Sequence, residues 1–328
     1  MEQKYRYTVC NLCFTYNHVR YIADAMESFA KQETSFPVVN VIVDDASTDG
    51  EQIIIQQYLN QNFQSPFRKE DAEYGQIICA QHKTNKNCVF AIILLKYNHY
   101  GRGESKMQHL GEWIKNAKYQ SLCEGDDWWL SRYKLQKQYE ALEKNPYSDM
   151  CACGTICFRE GKEIMKMCPS KESRLISIDE VILGGGSYLG TNSLFYRSSI
   201  LDDRYIFYKY LSLDYFYQIH GALRGGIVYL SDEMSAYRVS SSGSWVKGMR
   251  ANPLQYFKHR EKVITALNIL DYETDGKYNT QIQEAKNKIY INQVLSGLEG
   301  GIYHNKSSLK QRMKIFLLAF KNLFKSNA

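Results

Sequence analysis

Proline is nearly missing from this chain: 5 residues in 328, so little interrupts its helices and strands. No apolar run approaches the roughly 20 residues that a membrane-spanning helix needs. There is no phosphate-cradling P-loop, no nucleophile elbow and no calcium loop of the EF-hand pattern, and the seven histidines show no metal-ligand spacing. The missing P-loop and nucleophile elbow exclude P-loop nucleotide hydrolysis and α/β-hydrolase chemistry. The start, Met1 to Tyr7, is polar and does not read as a secretory leader. Nine cysteines, an odd number, lie mostly in apolar, strand-like segments. Cys10 and Cys13 form a CxxC, but three positions apart in a strand they face opposite sides, and no second pair stands at a zinc-ribbon spacing. Buried, reduced thiols and a cytoplasmic location are therefore expected.

Acidic residues are absent from residues 306–328, which carry Lys306, Lys310, Arg312, Lys314, Lys321 and Lys325. Those six hold the whole excess of the +6 net charge: the other 35 Lys and Arg face 35 Asp and Glu. A nucleic-acid binder spreads its basic charge over a folded face, so no nucleic-acid partner is expected. Within the tail, Leu309, Met313, Phe316, Phe320 and Phe324 recur at helical spacing. A basic amphipathic helix of this kind suits an anionic membrane surface, placing the protein peripherally at the inner face of the membrane. Packing of the same stripe on the body is the other reading.

The first half alternates strand and helix. Residues 7–14, 38–43, 89–95 and 119–123 read as strands. Val19, Ile22, Met26 and Phe29 mark a helix with Asn17 as its cap. Ile54 and Tyr58 mark a second, Met107, Leu110 and Ile114 a third, and Leu135, Tyr139 and Leu142 a fourth that ends near Asn145-Pro146. Residues 60–88 read as an irregular polar insertion. The order implies an α/β fold with a mostly parallel sheet and helices on both faces, and ligands beyond the carboxyl ends of its strands. In the second half, 150–158, 163–168, about 193–196 and 227–239 read as strands, 212–223 as a helix, and the chain from about 252 as helices.

Two acidic groups fall at strand ends. Glu124-Gly125-Asp126-Asp127 places three carboxylates within four residues, followed by two tryptophans. Such carboxylates repel one another unless a cation joins them, and hard divalent ions such as Mg²⁺ or Mn²⁺ take oxygen ligands shared with substrate phosphates. A solvated acidic loop is the plainer alternative. Asp44-Asp45, followed by Ser47 and Asp49, offers carboxylates to a base or ribose, or caps the next helix. Gly101-Arg102-Gly103 offers backbone N–H groups and a cation to a diphosphate, or makes an ordinary turn.

Phe14-Thr15-Tyr16-Asn17, then Val43 through Gly50, then Glu124 through Trp129, in this order and with about 80 residues between the two Asp pairs, resemble family 2 of the inverting glycosyltransferases. The resemblance is strongest over about residues 5–145 and weaker to about 245. It implies the GT-A fold, with a glycosyltransferase domain over 1–245 (a nucleotide-sugar half at 1–145 and an acceptor half at 146–245) and a helical extension at 246–328. It implies a nucleotide-sugar donor, a UDP-sugar foremost, and a glycan or lipid-linked acceptor in bacterial surface polysaccharide synthesis. Tyr16 would lie against the donor base. Asp44 would bond the base with Asp45 nearby, and of the later carboxylates one, Glu124 or Asp126, would touch the ribose. Asp126 or Asp127 would hold Mn²⁺ or Mg²⁺, and Arg102 and Arg238 would serve the donor. Leu213-Asp214 stands where the family places its catalytic base, with Leu in place of the usual Glu. Tyr237-Arg238-Val239-Ser240 departs from the family's Tyr-Arg-x-His by its serine. A nucleotidyltransferase, or a non-catalytic sugar-nucleotide-binding protein at the membrane, are the rival readings. The first would show a basic Gly-rich loop where Thr15 to His18 stand.

Overall fold

The computed structural model describes residues 5–202, 205–211, 213–239, 253–299 and 317. The basic tail, Leu317 apart, and Asp203, Ser240 and Trp245 lie outside them. The elements are β1 (Tyr7–Thr15), α1 (Ile22–Ala30), β2 (Val38–Asp44), α2 (Glu51–Asn62), β3 (Arg68–Ala72), β4 (Gly75–Gln81) and β5 (Cys88–Leu95). Next come α3 (His99–Arg102), a 3-10 turn (Lys106–His109), α4 (Gly111–Lys115), β6 (Ala117–Leu122), β7 (Trp128–Trp129) and α5 (Lys134–Lys144). Then follow β8 (Met150–Arg159), β9 (Lys162–Met167), β10 (Arg174–Ile176), α6 (Ile178–Gly184), β11 (Phe195–Arg197), α7 (Phe207–Tyr210), α8 (Asp214–Ala222) and β12 (Ile227–Arg238). Two helices follow, α9 (Pro253–Glu273) and α10 (Asn279–Glu299).

The strands form one mixed sheet in the order β10-β12-β8-β11-β6-β1-β2-β5-β4-β3, with β7 on β12 and β9 on β8. Its centre, β6-β1-β2-β5, is parallel, as alternating strands and helices require. Antiparallel pairings join both margins to that centre: β4 on β5 and β11 on β6. All seven residues of β2 are buried, because helices cover both faces. On one face Val9, Cys13, Ile42 and Phe90 meet α1 (Ile22, Met26, Phe29), α2 (Ile55, Leu59) and α5 (Leu135, Leu142). On the other, Cys10, Leu12, Val41 and Ile93 meet Leu110 and Trp113. Cys10 and Cys13 thus serve opposite faces. All nine cysteines are free thiols, eight of them buried.

Three expectations change. Residues 60–88 are not irregular: α2 runs to Asn62, and β3 and β4 form a hairpin added antiparallel to β5. The charges of Arg68, Lys69, Glu70 and Asp71 mask β3 as a strand, yet they suit an exposed sheet edge that must not pair with another chain. The helix expected around Met107, Leu110 and Ile114 is broken into a 3-10 turn and the short α4. Asn17 does not cap α1. It takes a left-handed φ of 57°, and its side-chain oxygen accepts from Thr48 N at 2.8 Å.

By compactness the chain forms two units. The first holds the described residues of 1–176, 187–203 and 221–242, and the second those of 177–186, 204–220 and 243–328. In the second unit α9 packs on α7 and α10, and α10 on α6. The Glu273 carboxylate accepts from the N–H groups of Ile206, at 2.7 and 2.9 Å, and Phe207, at 2.9 Å, and so caps α7. No helix among the described residues is long and apolar enough to cross a membrane.

Candidate active site

The carboxyl ends of β2, β1 and β6 bring both acidic groups to one edge of the first unit. Thr15 stands in register with Asp44, and Asp45 N donates to Thr15 O at 3.0 Å. On the other flank of β1, Cys123 N donates to Leu12 O at 3.1 Å and Gly125 N to Phe14 O at 3.0 Å. A Cβ on Gly125 would stand 2.1 Å from Thr15 Oγ1, so only glycine lets the acidic loop come this close to β1.

Glu124, Asp126 and Asp127 each offer a carboxylate oxygen, and these lie within 4.8 Å of one another. Asp127 is fixed from two sides: its Oδ1 accepts from Arg238 N at 2.8 Å and its Oδ2 from Asn192 Nδ2 at 3.1 Å. Burial pushes its pKa well above the usual carboxylate range, and the neighbouring Asp126 charge adds to the rise. The Arg238 charge offsets part of that rise, but its guanidinium is bonded elsewhere. It donates to Asp126 O and to Asp24, over the rings of Tyr21 and Trp128. Three hard oxygen donors, one of them buried with no cationic side chain bonded to it, fit a divalent ion of the Mg²⁺ or Mn²⁺ class.

Asp44 and Asp45 are both fully buried. Asp44 Oδ1 accepts from Ser47 N at 3.1 Å and from the Gln52 amide, while its Oδ2 has no protein partner. Burial raises its pKa. Asp45 is occupied differently. It accepts from His99 N at 2.7 Å and Tyr100 N at 3.1 Å, with Lys106 Nζ 3.5 Å away. It therefore anchors the segment 98–106. The glycine-bearing turn there keeps its amides to itself: Gly101 N bonds Asn98 Oδ1, Gly103 N bonds Tyr100 O, and Glu104 N bonds His99 O. Arg102 is exposed and stacks on Tyr97 at 4.2 Å.

A polar chain links the two acidic groups. The buried Glu51 accepts from Thr15 Oγ1, from His18 N at 2.8 Å and from Ser47 Oγ at 2.9 Å. Thr15 Oγ1 lies 3.3 Å from His18 Nδ1, and His18 Nε2 lies 3.8 Å from Asp126 Oδ2. Sequence reasoning missed Thr15, His18, Glu51 and Asn192 as site residues. His18 and Thr15 flank Tyr16-Asn17 and were in view, whereas Glu51 passed for an ordinary first-turn acid of α2. Asn192 sits 65 residues from its partner Asp127, and no local pattern marks it. Tyr16 is 38% exposed beside Thr15, so its ring is open to a ligand. Asp214 is the exposed first residue of α8 and belongs to the second unit.

The sequence profile described as glycosyl transferase family 2 matches residues 13–241. The uncharacterized proteins Rv1520 of Mycobacterium tuberculosis and Mb1547 of Mycobacterium bovis are each 29% identical over 235 residues. That is 70% of this chain and 58% of theirs, so the chain matches little more than half the length of these relatives. Among solved structures, Staphylococcus aureus TarS 1–349 in complex with UDP superposes with a TM-score of 0.59 at 16% identity, covering 95% of this chain and 80% of that one. TarS 1–349 in complex with UDP-GlcNAc gives 0.50 at 17% identity, covering 86% and 80%. At such identities the likeness is one of fold: a mixed α/β, GT-A-like sheet flanked by helices.

Proposed function

The chain belongs to glycosyl transferase family 2, and from that premise we propose that it moves a sugar, with inversion and with the help of Mn²⁺ or Mg²⁺, from a UDP-sugar to an acceptor hydroxyl. The observation that carries the reading is the cluster of Glu124, Asp126 and Asp127 beyond the ends of parallel strands, their oxygens within 4.8 Å. Asp44 supports it, since its buried, unpartnered Oδ2 suits an N–H or O–H of a nucleoside. UDP stands first because TarS, the similar fold, has been crystallised with UDP and UDP-GlcNAc.

In this reading Tyr16 lies along the base and Asp44 accepts from it. Glu124 touches the ribose, and Asp126 and Asp127 hold the ion. Such an ion, when bound, neutralises the diphosphate leaving group. Asp45 keeps the segment bearing Arg102 in place, and Arg102 lies within reach of the phosphates. Arg238 steadies the acidic loop through the Asp126 carbonyl and the Asp127 carboxylate. The acceptor oxygen bonds to the anomeric carbon as the bond to the diphosphate breaks. Its proton passes to Asp214, and a nucleoside diphosphate leaves. The acceptor is a glycan or lipid-linked glycan of a bacterial surface polysaccharide. The basic stripe of 306–328 holds the enzyme peripherally on an anionic membrane, at about 1 kcal/mol per basic residue.

The test is donor turnover by the full chain with UDP-, GDP- and dTDP-sugars, each in Mn²⁺, in Mg²⁺ and in chelator. Metal-dependent release of UDP from a UDP-sugar is expected. Tight binding without turnover, across a panel of glycan acceptors, would favour the non-catalytic binding protein.

A further inference from the structure

Away from the acidic cluster, two histidines meet in an arrangement that nothing in the transfer reaction uses. His99 Nε2 and His109 Nε2 face each other at 3.1 Å, with their rings nearly perpendicular at 86°. His99 is 3% exposed. Its Nδ1 lies 2.9 Å from Tyr97 O. A carbonyl only accepts, so that nitrogen carries the hydrogen, and in the neutral ring Nε2 is left with a lone pair. The Asp45 carboxylate stands behind the same ring, 3.7 Å from Nδ1. His109 is held from the other side, stacked on Tyr74 with 3.8 Å between ring centroids. Glu104, half exposed, has Oε2 3.6 Å from His99 Nε2, but its carboxylate and the two ring nitrogens do not all lie within 4.8 Å of one another, so the carboxylate must turn to join them on an ion.

We propose that His99 Nε2, His109 Nε2 and the Glu104 carboxylate form a second metal site, for a borderline ion of the Zn²⁺ class, distinct from the oxygen-only acidic cluster. Zn–N bonds of about 2.05 Å at a tetrahedral centre put two ligand nitrogens about 3.3 Å apart, close to the distance found. The backing of His99 by a carbonyl and a carboxylate is the outer shell that metal-bound imidazoles use to fix their tautomer. Of the nearby charges, Asp45 and Glu104 favour a cation and Lys106, 3.5 Å from Asp45, opposes it. Imidazole nitrogens select Zn²⁺ over Mg²⁺, so the two sites prefer different ions. An ion here would tie residues 99, 104 and 109 together and stiffen the segment that Asp45 anchors.

The competing occupant of the gap is a proton: His109 Nε2–H donating to His99 Nε2. Full-length protein carrying Asp126→Asn and Asp127→Asn, stripped of metal by chelator, separates the two when titrated with Zn²⁺ by calorimetry. One equivalent should bind. Adding His109→Gln should weaken it at least tenfold, the scale on which even outer-shell losses act. Adding Glu104→Gln should weaken it less. Co²⁺ in place of Zn²⁺ should show the visible bands of a nitrogen-ligated, four-coordinate ion, and lose them in His109→Gln. His99→Gln serves as the second variant, with melting curves recorded for each to confirm folding. No uptake by the Asp126→Asn/Asp127→Asn protein, or uptake that neither histidine substitution changes, overturns the proposal.

Discussion

Asp44-Asp45 and Asp126-Asp127 are the same dipeptide, met twice at the carboxyl ends of the two parallel strands that flank β1, and they handle charge differently. In each the second aspartate is the anchor. Asp45 accepts from two backbone N–H groups of α3, and Asp127 from Arg238 N and Asn192. Around Asp45 the chain supplies its own cation, Lys106. Around Asp127 the cation is partly diverted: the Arg238 guanidinium bonds Asp24 and the Asp126 carbonyl, its charge offsets only part of the rise in the Asp127 pKa, and Glu124 and Asp126 add like charge. A buried carboxylate with like charges beside it is costly unless something joins them. The contrast is between a pair whose anchor has Lys106 beside it and a pair whose anchor sits among like charges.

The largest expected effect breaks the second pair. Replacing Asp126 and Asp127 together with Ala should abolish metal-dependent UDP binding in calorimetry and reduce sugar transfer by at least about a thousandfold, as loss of several kcal/mol of charge stabilisation implies. Unchanged Mn²⁺-dependent affinity would show that the carboxylates hold no ion. Next comes Asp214→Asn, which keeps the shape and removes the proposed base. Transfer should fall by at least about a hundredfold while donor and metal affinity stay within a few-fold. Asp202→Asn and Asp203→Asn are the controls, because these two aspartates also follow the strand read at about 193–196 and are the rival candidates; a collapse in either with normal Asp214→Asn turnover would assign the base there.

A smaller effect sharpens how the second pair is placed. Gly125→Ala puts a Cβ 2.1 Å from Thr15 Oγ1 and 2.5 Å from Thr15 Cβ. The acidic loop must then back away from β1, at a cost of about 1–3 kcal/mol in thermal or denaturant unfolding. Donor affinity should fall with it. The double variant Gly125→Ala/Thr15→Ser keeps the hydroxyl and so should recover little, whereas Thr15→Gly in its place removes the clash but also the donor to the buried Glu51, so it should restore the loop's position and donor affinity more than the stability.

How much of this was legible in advance follows the range of the interactions. The parallel centre was readable because β2 and β5 are continuous apolar runs. Both acidic groups were readable because their carboxylates are adjacent in sequence. The hairpin of β3 and β4 was not, since an exposed edge strand carries the charges of a loop. The roles within each pair were hidden for the same reason. That Asp45 is an anchor depends on amides 54 and 55 residues away, and the hold on Asp127 on Asn192 and Arg238, 65 and 111 residues away. Glu51 illustrates the limit: its place as a first-turn acid of α2 was visible, but its bonds to Thr15 and His18 exist only once β1 and β2 lie side by side.

The smallest effect is a slope in pH. The folded-state pKa of Asp127 is raised, by burial first and by Asp126 second. A carboxyl whose pKa is higher folded than unfolded binds more protons in the native state, so stability falls as pH rises between the two values. The contribution of Asp127 is therefore fully present below the ordinary Asp range near pH 4 and is lost as pH climbs through its raised folded value. Other groups run the opposite way: Glu27, bonded to Tyr58 and Lys31, has a lowered pKa. The difference between parent and Asp127→Asn isolates the one site, because asparagine keeps the shape and cannot titrate. In metal-free buffer the parent should lose melting temperature relative to Asp127→Asn as pH rises above the ordinary Asp range near 4. Added Mn²⁺ should reverse that trend in the parent alone, because an ion at the cluster favours the charged form. Parallel curves with and without Mn²⁺ would mean that Asp127 stays paired without an ion, and the contrast with Asp45 would not hold.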